Sequence, residues 1–340
     1  MIIIKKIVYK GKDDFSFKNY ERRKCNKNEI EVKTSVLGLC GSDIHKFLKQ
    51  TPADNYLKTD VLGHEISGVV SSIGNDIDNI KVGDRVVINP FNITNKTIKY
   101  DSFSFGNNID IVGRTIDGGY AEYIYLPKDC VYKLPNSIND YEAIFIDDIA
   151  VALHGIHYIN EYNSKSENIA IIGDGPLGLL CYRVLKAQYD KSNIVLFSKN
   201  MEKLTKLNIN AIPFDKIDKY QEKFNVVLEA VGGNQSDTLN KAINIGTNNC
   251  LILCYGVFQF GFKADLEIRT LLYKQGIIKG INSYCNIHDD FNRAIDLLST
   301  KKIEVEDLIT ARISFDDSIQ YIKNYPRTKN NIKTVFEVKQ

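Results

Sequence analysis

The sequence predicts an α/β chain of two domains: an antiparallel, barrel-like β domain, then a doubly wound parallel sheet, with the C-terminal stretch returning to the first domain. Three observations predict it. At 340 residues and 38.6 kDa the chain is longer than a single core usually supports. From Ile2 to about Leu134, short β-branched runs are separated by Gly, Asp and Asn turns. Beyond Asn168, strand and helix patterns alternate, which is how βαβ units with right-handed crossovers are written.

Taken in order, the first part offers strands at Ile2 to Val8, Glu29 to Val36, Ser67 to Ile73, Arg85 to Ile88 and Ala121 to Leu126. Asn89 to Asn108, rich in Asn, Lys, Thr and Phe, reads as an exposed loop. Ala143 to Ile159 has helical spacing and leads into Asn168-Ile169-Ala170-Ile171-Ile172, a continuous apolar run of the kind a buried parallel strand needs. Helical stretches at Leu179 to Gln188, Met201 to Leu207 and Thr238 to Ile245 then alternate with strands at Asn193 to Phe197, Val226 to Glu229 and Cys250 to Tyr255. From about Asp289 the tail carries an amphipathic helix at Phe291 to Leu298, two strand candidates and a short helix, too little for a domain of its own. The expected division is therefore 1–147 with 289–340, and 148–288.

Composition excludes several classes of partner. With 44 basic and 42 acidic residues interleaved along the chain, nothing argues for nucleic acid or an anionic membrane surface. No signal peptide and no apolar run of membrane-spanning length is read, so no membrane partner is expected. Seven cysteines at irregular positions do not form a disulfide framework and suit a reducing cytoplasm.

Gly173-Asp174-Gly175-Pro176-Leu177-Gly178 fits G-x-G-x-x-G, after an apolar strand and before a helix. Gly173 makes the turn, Gly175 lets backbone approach a pyrophosphate, and Gly178 lets helix pack on strand. Pro176 and Leu177 open the helix whose N-terminus holds the anion. An NAD site places Asp or Glu at the end of the second strand, on the ribose 2′-hydroxyl. Here that end reads Phe197-Ser198-Lys199-Asn200, with Lys203 beyond. Ser198, Lys199 and Lys203 suit a 2′-phosphate, so NADP(H) is favoured over NAD(H). The bland alternative is a solvated helix start, and Ser or Asn serves either cofactor.

In the first part, Gly38-Leu39-Cys40-Gly41-Ser42-Asp43-Ile44-His45 is answered by Gly63-His64-Glu65. A thiol, a hydroxyl, two imidazoles and a carboxylate so close together are the inventory of a zinc site with a proton path beside it. Cys40 and His64 are read in Gly-bounded loops, and a lone Cys or His would more often be a buried packing residue.

With Val82-Gly83-Asp84-Arg85-Val86 and Asp117-Gly118-Gly119-Tyr120-Ala121-Glu122-Tyr123 added to these motifs, the chain resembles the medium-chain dehydrogenase/reductase family, the zinc-dependent alcohol and polyol dehydrogenases, over nearly its whole length. The resemblance implies a GroES-like β-barrel catalytic domain and a Rossmann domain. It implies zinc on Cys40 and His64, with Glu65 as a carboxylate that binds or exchanges at the metal. A third ligand lies at the start of the hinge helix; counting back from Leu153-His154-Gly155 gives Asp147, with Asp148 as its neighbour. Two departures stand out. Many sugar and polyol members have Glu-Pro where this chain has Asp147-Asp148. Residues 89–129 contain no cysteine, so the four-cysteine structural lobe is missing and one zinc is expected. The resemblance further implies that Val231, Gly232 and Gly233, then Tyr255 and Gly256, line the cofactor, that Lys333 approaches its phosphates, and that the chain forms a homodimer or homotetramer.

The expected chemistry is reversible hydride transfer between a secondary alcohol and nicotinamide C4. Ser42 is placed to take the alcohol proton and pass it to His45, whose ordinary pKa near 6.5 suits a relay to solvent. A small-molecule polyol, sugar or sugar-phosphate is the first substrate class. A secondary alcohol dehydrogenase using NADP on small ketones is the nearest rival, and a cofactor-binding protein without turnover is the rival from another class.

Overall fold

A computed structural model of the chain describes residues 3–48, 57–93, 109–162, 166–232, 236–257, 261–325 and 330–339. Residues 94–108 of the expected loop, Gly233, and Ile2 at the start of the first strand lie outside the described residues. The chain divides into two units, one of Met1–Asp147, Ile295–Lys301 and Leu308–Gln340, the other of Asp148–Ala294 and Lys302–Asp307.

The first unit opens with β1 (Ile3–Gly11) and β2 (Asp14–Glu21), an antiparallel hairpin. Next come β3 (Glu29–Leu39), α1 (Gly41–Leu48), β4 (Ile66–Ile73), β5 (Arg85–Ile88), the short pair β6 (Phe91–Ile93) and β7 (Ile109–Ile111), β8 (Tyr123–Pro127), β9 (Val131–Lys133) and α2 (Asp140–Ala143). β3 is the spine of the unit. It pairs antiparallel with both β4 and β8, and it is buried along almost its whole length because neighbours cover both of its faces. Its side chains Val32, Leu37 and Leu39 enter one core with Phe47, Ile66, Tyr120 and Phe336.

The chain then runs through α3 (Ile146–Tyr162) into the second unit. The single helix expected over Ala143 to Ile159 is two helices. Asn139 accepts from the amides of Tyr141 and Glu142 while Glu142 reaches back to the Asn139 amide, so a capping box starts a helix earlier, and it ends at Ile144 before α3 begins.

The second unit holds β10 (Asn168–Ile172), α4 (Pro176–Gln188), β11 (Asn193–Ser198), α5 (Met201–Lys206), β12 (Ala211–Pro213), β13 (Phe224–Glu229), α6 (Ser236–Ile245), β14 (Gly246–Cys254), α7 (Ile268–Lys274), β15 (Ile277–Gly280) and most of α8 (Ile287–Ser299). Among the described residues its sheet runs β12-β11-β10-β13-β14-β15, every pair parallel. Ile169, Ala170, Ile171 and Ile172 of β10 are fully buried, which is why that strand is written without polar interruptions. The strand order reverses between β10 and β13, the switch point where open parallel sheets bind ligands at their carboxyl ends.

The tail returns to the first unit as β16 (Ile309–Ser314), α9 (Ser318–Lys323) and β17 (Lys333–Glu337). β17 lies antiparallel on β3, whereas β16 and β17 are parallel to each other. The wholly antiparallel sheet expected for this unit is thus corrected at one edge. A crossover through α9 brings the chain back in the same direction.

Candidate active site

Because β3 and β4 are antiparallel with Leu37 opposite Ile66, the end of one lies beside the start of the other. Cys40, just past β3, and His64-Glu65, just before β4, are therefore neighbours in space. Among the described residues, ligand atoms of Cys40, His64 and Glu65 all lie within 4.8 Å of one another. Two glycines permit this approach. A side chain at Gly38 would collide with the Glu65 carboxylate, and Gly63 adopts φ +93° against the Tyr120 ring, a conformation costly to other residues.

Cys40 is the connecting residue between β3 and α1, with Gly38 and Gly41 close on either side. It precedes α1, and its carbonyl accepts from the amides of Asp43 and Ile44, each at 3.1 Å. Ser42 and His45 are thereby three apart on one helix, which puts them on one face. The Ser42 hydroxyl donates to Cys40 Sγ at 3.4 Å, and His45 is exposed to solvent.

His64 is held between two carboxylates. Its Nδ1 is 3.7 Å from Asp43 Oδ2 and its Nε2 3.9 Å from Asp147 Oδ2. Asp43 is fully buried, and its Oδ2 accepts from the Tyr120 hydroxyl at 2.9 Å. Burial first, and then the Asp43 charge, hold the Tyr120 phenol well above its ordinary pKa, so it stays a neutral donor. Sequence reasoning passed over Asp43 and Tyr120 although both stand inside quoted motifs. Their signal is a buried acid and phenol beside a ligand-type histidine.

Lys333, expected near the cofactor phosphates, is paired with Glu65 within the first unit. Its ammonium donates to Glu65 Oε1 at 2.6 Å, with side-chain exposures of 2% and 0%, and lies 5.5 Å from the centre of the Phe145 ring. Register explains this, since Thr334 is opposite Leu39 and Lys333 therefore lies level with Cys40. The donor set suits zinc, with a soft thiolate, an imidazole and a carboxylate converging and outer partners on the imidazole.

In the second unit the glycine loop has the shape its motif demands. Gly173 has φ +119° with a carbonyl of Ala230 where a side chain would go, and a side chain at Gly178 would meet the Gly173 carbonyl. Gly175 faces open space and caps α4 with no side-chain bond to the first amides. The N-terminus that Pro176 and Leu177 open is thus available to an anion, and the loop fits a pyrophosphate.

At the end of β11 the arrangement departs from expectation. Ser198, 2% exposed, donates to the Asp174 carboxylate and accepts from the Asn200 amide at 2.8 Å. Lys203 Nζ donates to the Asp174 carbonyl at 2.5 Å and lies 3.4 Å from its Oδ1. Lys199 extends over the Phe214 ring, 5.1 Å from its centre. Val231 donates its amide to Glu229 Oε1 at 3.2 Å, and the amides of Tyr255 and Gly256 donate to the Glu229 carbonyl. The Tyr255 ring turns into the core, its hydroxyl donating to the Ala152 carbonyl at 3.0 Å, so only its backbone is offered at the strand end. Gly232 follows Val231 at the neighbouring strand end. His154 is buried, with Nδ1 donating to the Ser283 carbonyl at 3.0 Å.

Comparison with known proteins agrees with both halves. Residues 26–136 match the alcohol dehydrogenase GroES-like domain. The (R,R)-butanediol dehydrogenase of Bacillus subtilis (strain 168) is 25% identical over 328 residues, covering 90% of this chain and 91% of that protein. The D-xylulose reductase of Saccharomyces cerevisiae is 26% identical over 337 residues, covering 91% and 90%. A Sinorhizobium meliloti 1021 structure described as a zinc-binding dehydrogenase, bound to NADP, superposes with a TM-score of 0.86 at 21% identity over 99% of this chain and 100% of that one. The GroES-like match and the relatives, which span nine-tenths of the chain, support the medium-chain dehydrogenase/reductase family with its polyol-type dehydrogenases, and the superposed structure shares the fold.

Proposed function

We propose that the chain is a zinc-dependent oxidoreductase that interconverts a secondary alcohol and its ketone with a nicotinamide dinucleotide. The observation that carries this is the convergence of Cys40, His64 and Glu65 within 4.8 Å. Cys40 and His64 hold the metal, Glu65 binds or exchanges beside them, and Asp147 is the further ligand, its carboxylate 3.9 Å from His64. Zinc held there would supply Lewis acidity towards the alcohol or carbonyl oxygen, and a nicotinamide held by the glycine loop would supply the hydride chemistry. Ser42 takes the alcohol proton and His45, exposed on the same helix face, releases it to water. Asp43, steadied by Tyr120, orients the His64 ring.

A polyol, sugar or sugar-phosphate is the substrate class, supported by relatives named for butanediol and xylulose. A panel of pentitols, hexitols, their phosphates and short secondary alcohols tests it. Turnover confined to short alcohols would favour a small-ketone reductase, and none at all a binding protein. One zinc per chain is expected, since residues 89–129 offer no cysteine cluster. The NADP(H) preference drawn from Ser198, Lys199 and Lys203 now rests on Lys199, because Asp174 engages the other two. Asp174 instead favours NAD(H), because it sets a carboxylate beside the end of β11.

A homodimer or homotetramer is supported by the edge strand β15 and by α7, where Ile268, Leu272 and Tyr273 are 55, 67 and 69% exposed. Sedimentation at micromolar concentration tests it, and a monomer would contradict it. None of the seven cysteines is in a disulfide, in keeping with a cytoplasmic location, and no helix among the described residues is long and apolar enough to cross a membrane.

A further inference from the structure

We propose that Asp174, the second residue of the glycine loop, is the carboxylate that reads the adenosine ribose, so that the chain selects NAD(H) against NADP(H). The proposal rests on the nicotinamide reading above and concerns only the nucleotide end of that site.

On this fold the adenosine ribose falls at the carboxyl end of the second strand, and an NAD site presents an acid there. The strand-end residue here is Ser198, which has no charge. The acid arrives instead from the neighbouring strand. β10 and β11 are parallel with Ile172 opposite Phe197, so the loop that follows β10 runs beside the end of β11. Asp174 is anchored in that position from both sides, by the Ser198 hydroxyl and by Lys203. The two partners of the ion pair are not equally accessible. The Asp174 side chain is 25% exposed and that of Lys203 7%, so the carboxylate is the more accessible of the two to a ligand arriving from solvent.

A carboxylate so placed accepts from a ribose hydroxyl and repels a 2′-phosphate, which adds close to two negative charges. Lys203 does not offset that repulsion in full, because its ammonium is already shared between the carbonyl and carboxylate of Asp174. Lys199 is a further cation at this strand end, and its ammonium lies over Phe214. The same contacts explain why Ser198 and Lys203 looked like phosphate ligands in the sequence. Their partner is 24 and 29 residues away along the chain.

The test is calorimetric titration of the zinc-loaded, full-length protein with NAD+ and with NADP+, read as dissociation constants and not as turnover. NAD+ is expected to bind at least about tenfold tighter than NADP+. Asp174→Asn, which keeps the shape and removes the charge, should bring the two within about threefold, chiefly by tightening NADP+. Lys203→Met, which leaves the carboxylate uncompensated, should widen the gap. Tighter binding of NADP+ by the unmodified protein, or an unchanged ratio in Asp174→Asn, would overturn the proposal. Should Asp174→Asn fail to fold, the unmodified and Lys203→Met ratios decide. Binding of neither nucleotide defeats this assignment together with the nicotinamide reading. A clear NAD+ preference without alcohol turnover supports it and defeats only the proposed reaction.

Discussion

Each unit of this molecule contains a lysine paired with a carboxylate at the end of a strand, and the two pairs are built for different work. Lys333 and Glu65 are sealed, at 2% and 0% side-chain exposure, beneath the Phe145 ring. Lys203 and Asp174 are half-open, at 7% and 25%. A sealed pair gains little over an apolar substitute but is costly to break, because one charge is then left in the interior. A half-open pair costs less to rearrange and shows one of its charges to a ligand. On the proposed function, burial more than chemistry separates the pair that would position a metal ligand from the one that would select a cofactor.

The largest expected effect breaks the sealed pair. Lys333→Met should cost about 3–5 kcal/mol in metal-free protein, measured by denaturant unfolding, because Glu65 is left uncompensated. The loss should be smaller with zinc bound, since the metal supplies a compensating charge. An equal loss in both forms would separate Glu65 from the metal. Ser42→Ala comes next, with kcat at neutral pH falling by roughly 100-fold while zinc content is kept. Unchanged kcat would remove Ser42 from the proton path.

Asp43→Asn, which weakens the grip on His64, should lower zinc affinity by about 10–100-fold in a competition titration with a chromogenic chelator. Affinity unchanged would make Asp43 a packing residue. Smallest is the half-open pair. Lys203→Met should cost only about 1 kcal/mol of stability, its partner being partly solvated. A loss as large as that of Lys333→Met would erase the contrast between the two pairs.

Local pattern made much of this legible. The apolar run of β10 followed by glycines, and the Cys40 and His64 segments, carry their meaning within a few residues of chain. Beside β2, α1 and α7, what escaped includes features of two kinds. The three-residue strands β6, β7, β9 and β12 are too short for periodicity to register, and β15 is an edge strand of four. The second kind is long-range pairing. Lys333 finds Glu65 across 268 residues, and that meeting depends on β17 joining β3 in a particular register, which neither segment encodes alone. Asp174 escaped for a related reason. It stands at an x of G-x-G-x-x-G, where the motif asks for nothing, and its role appears only when β11 is laid beside β10.

The central claim is that Cys40, His64 and Glu65 hold a catalytic zinc. Its most direct test is metal content by mass spectrometry alongside polyol oxidation, before chelation, after it, and after zinc is returned. The account predicts one zinc per chain, activity lost with the metal and regained with it, and neither zinc nor activity in His64→Ala. Activity indifferent to chelation, or full zinc content in His64→Ala, would contradict it.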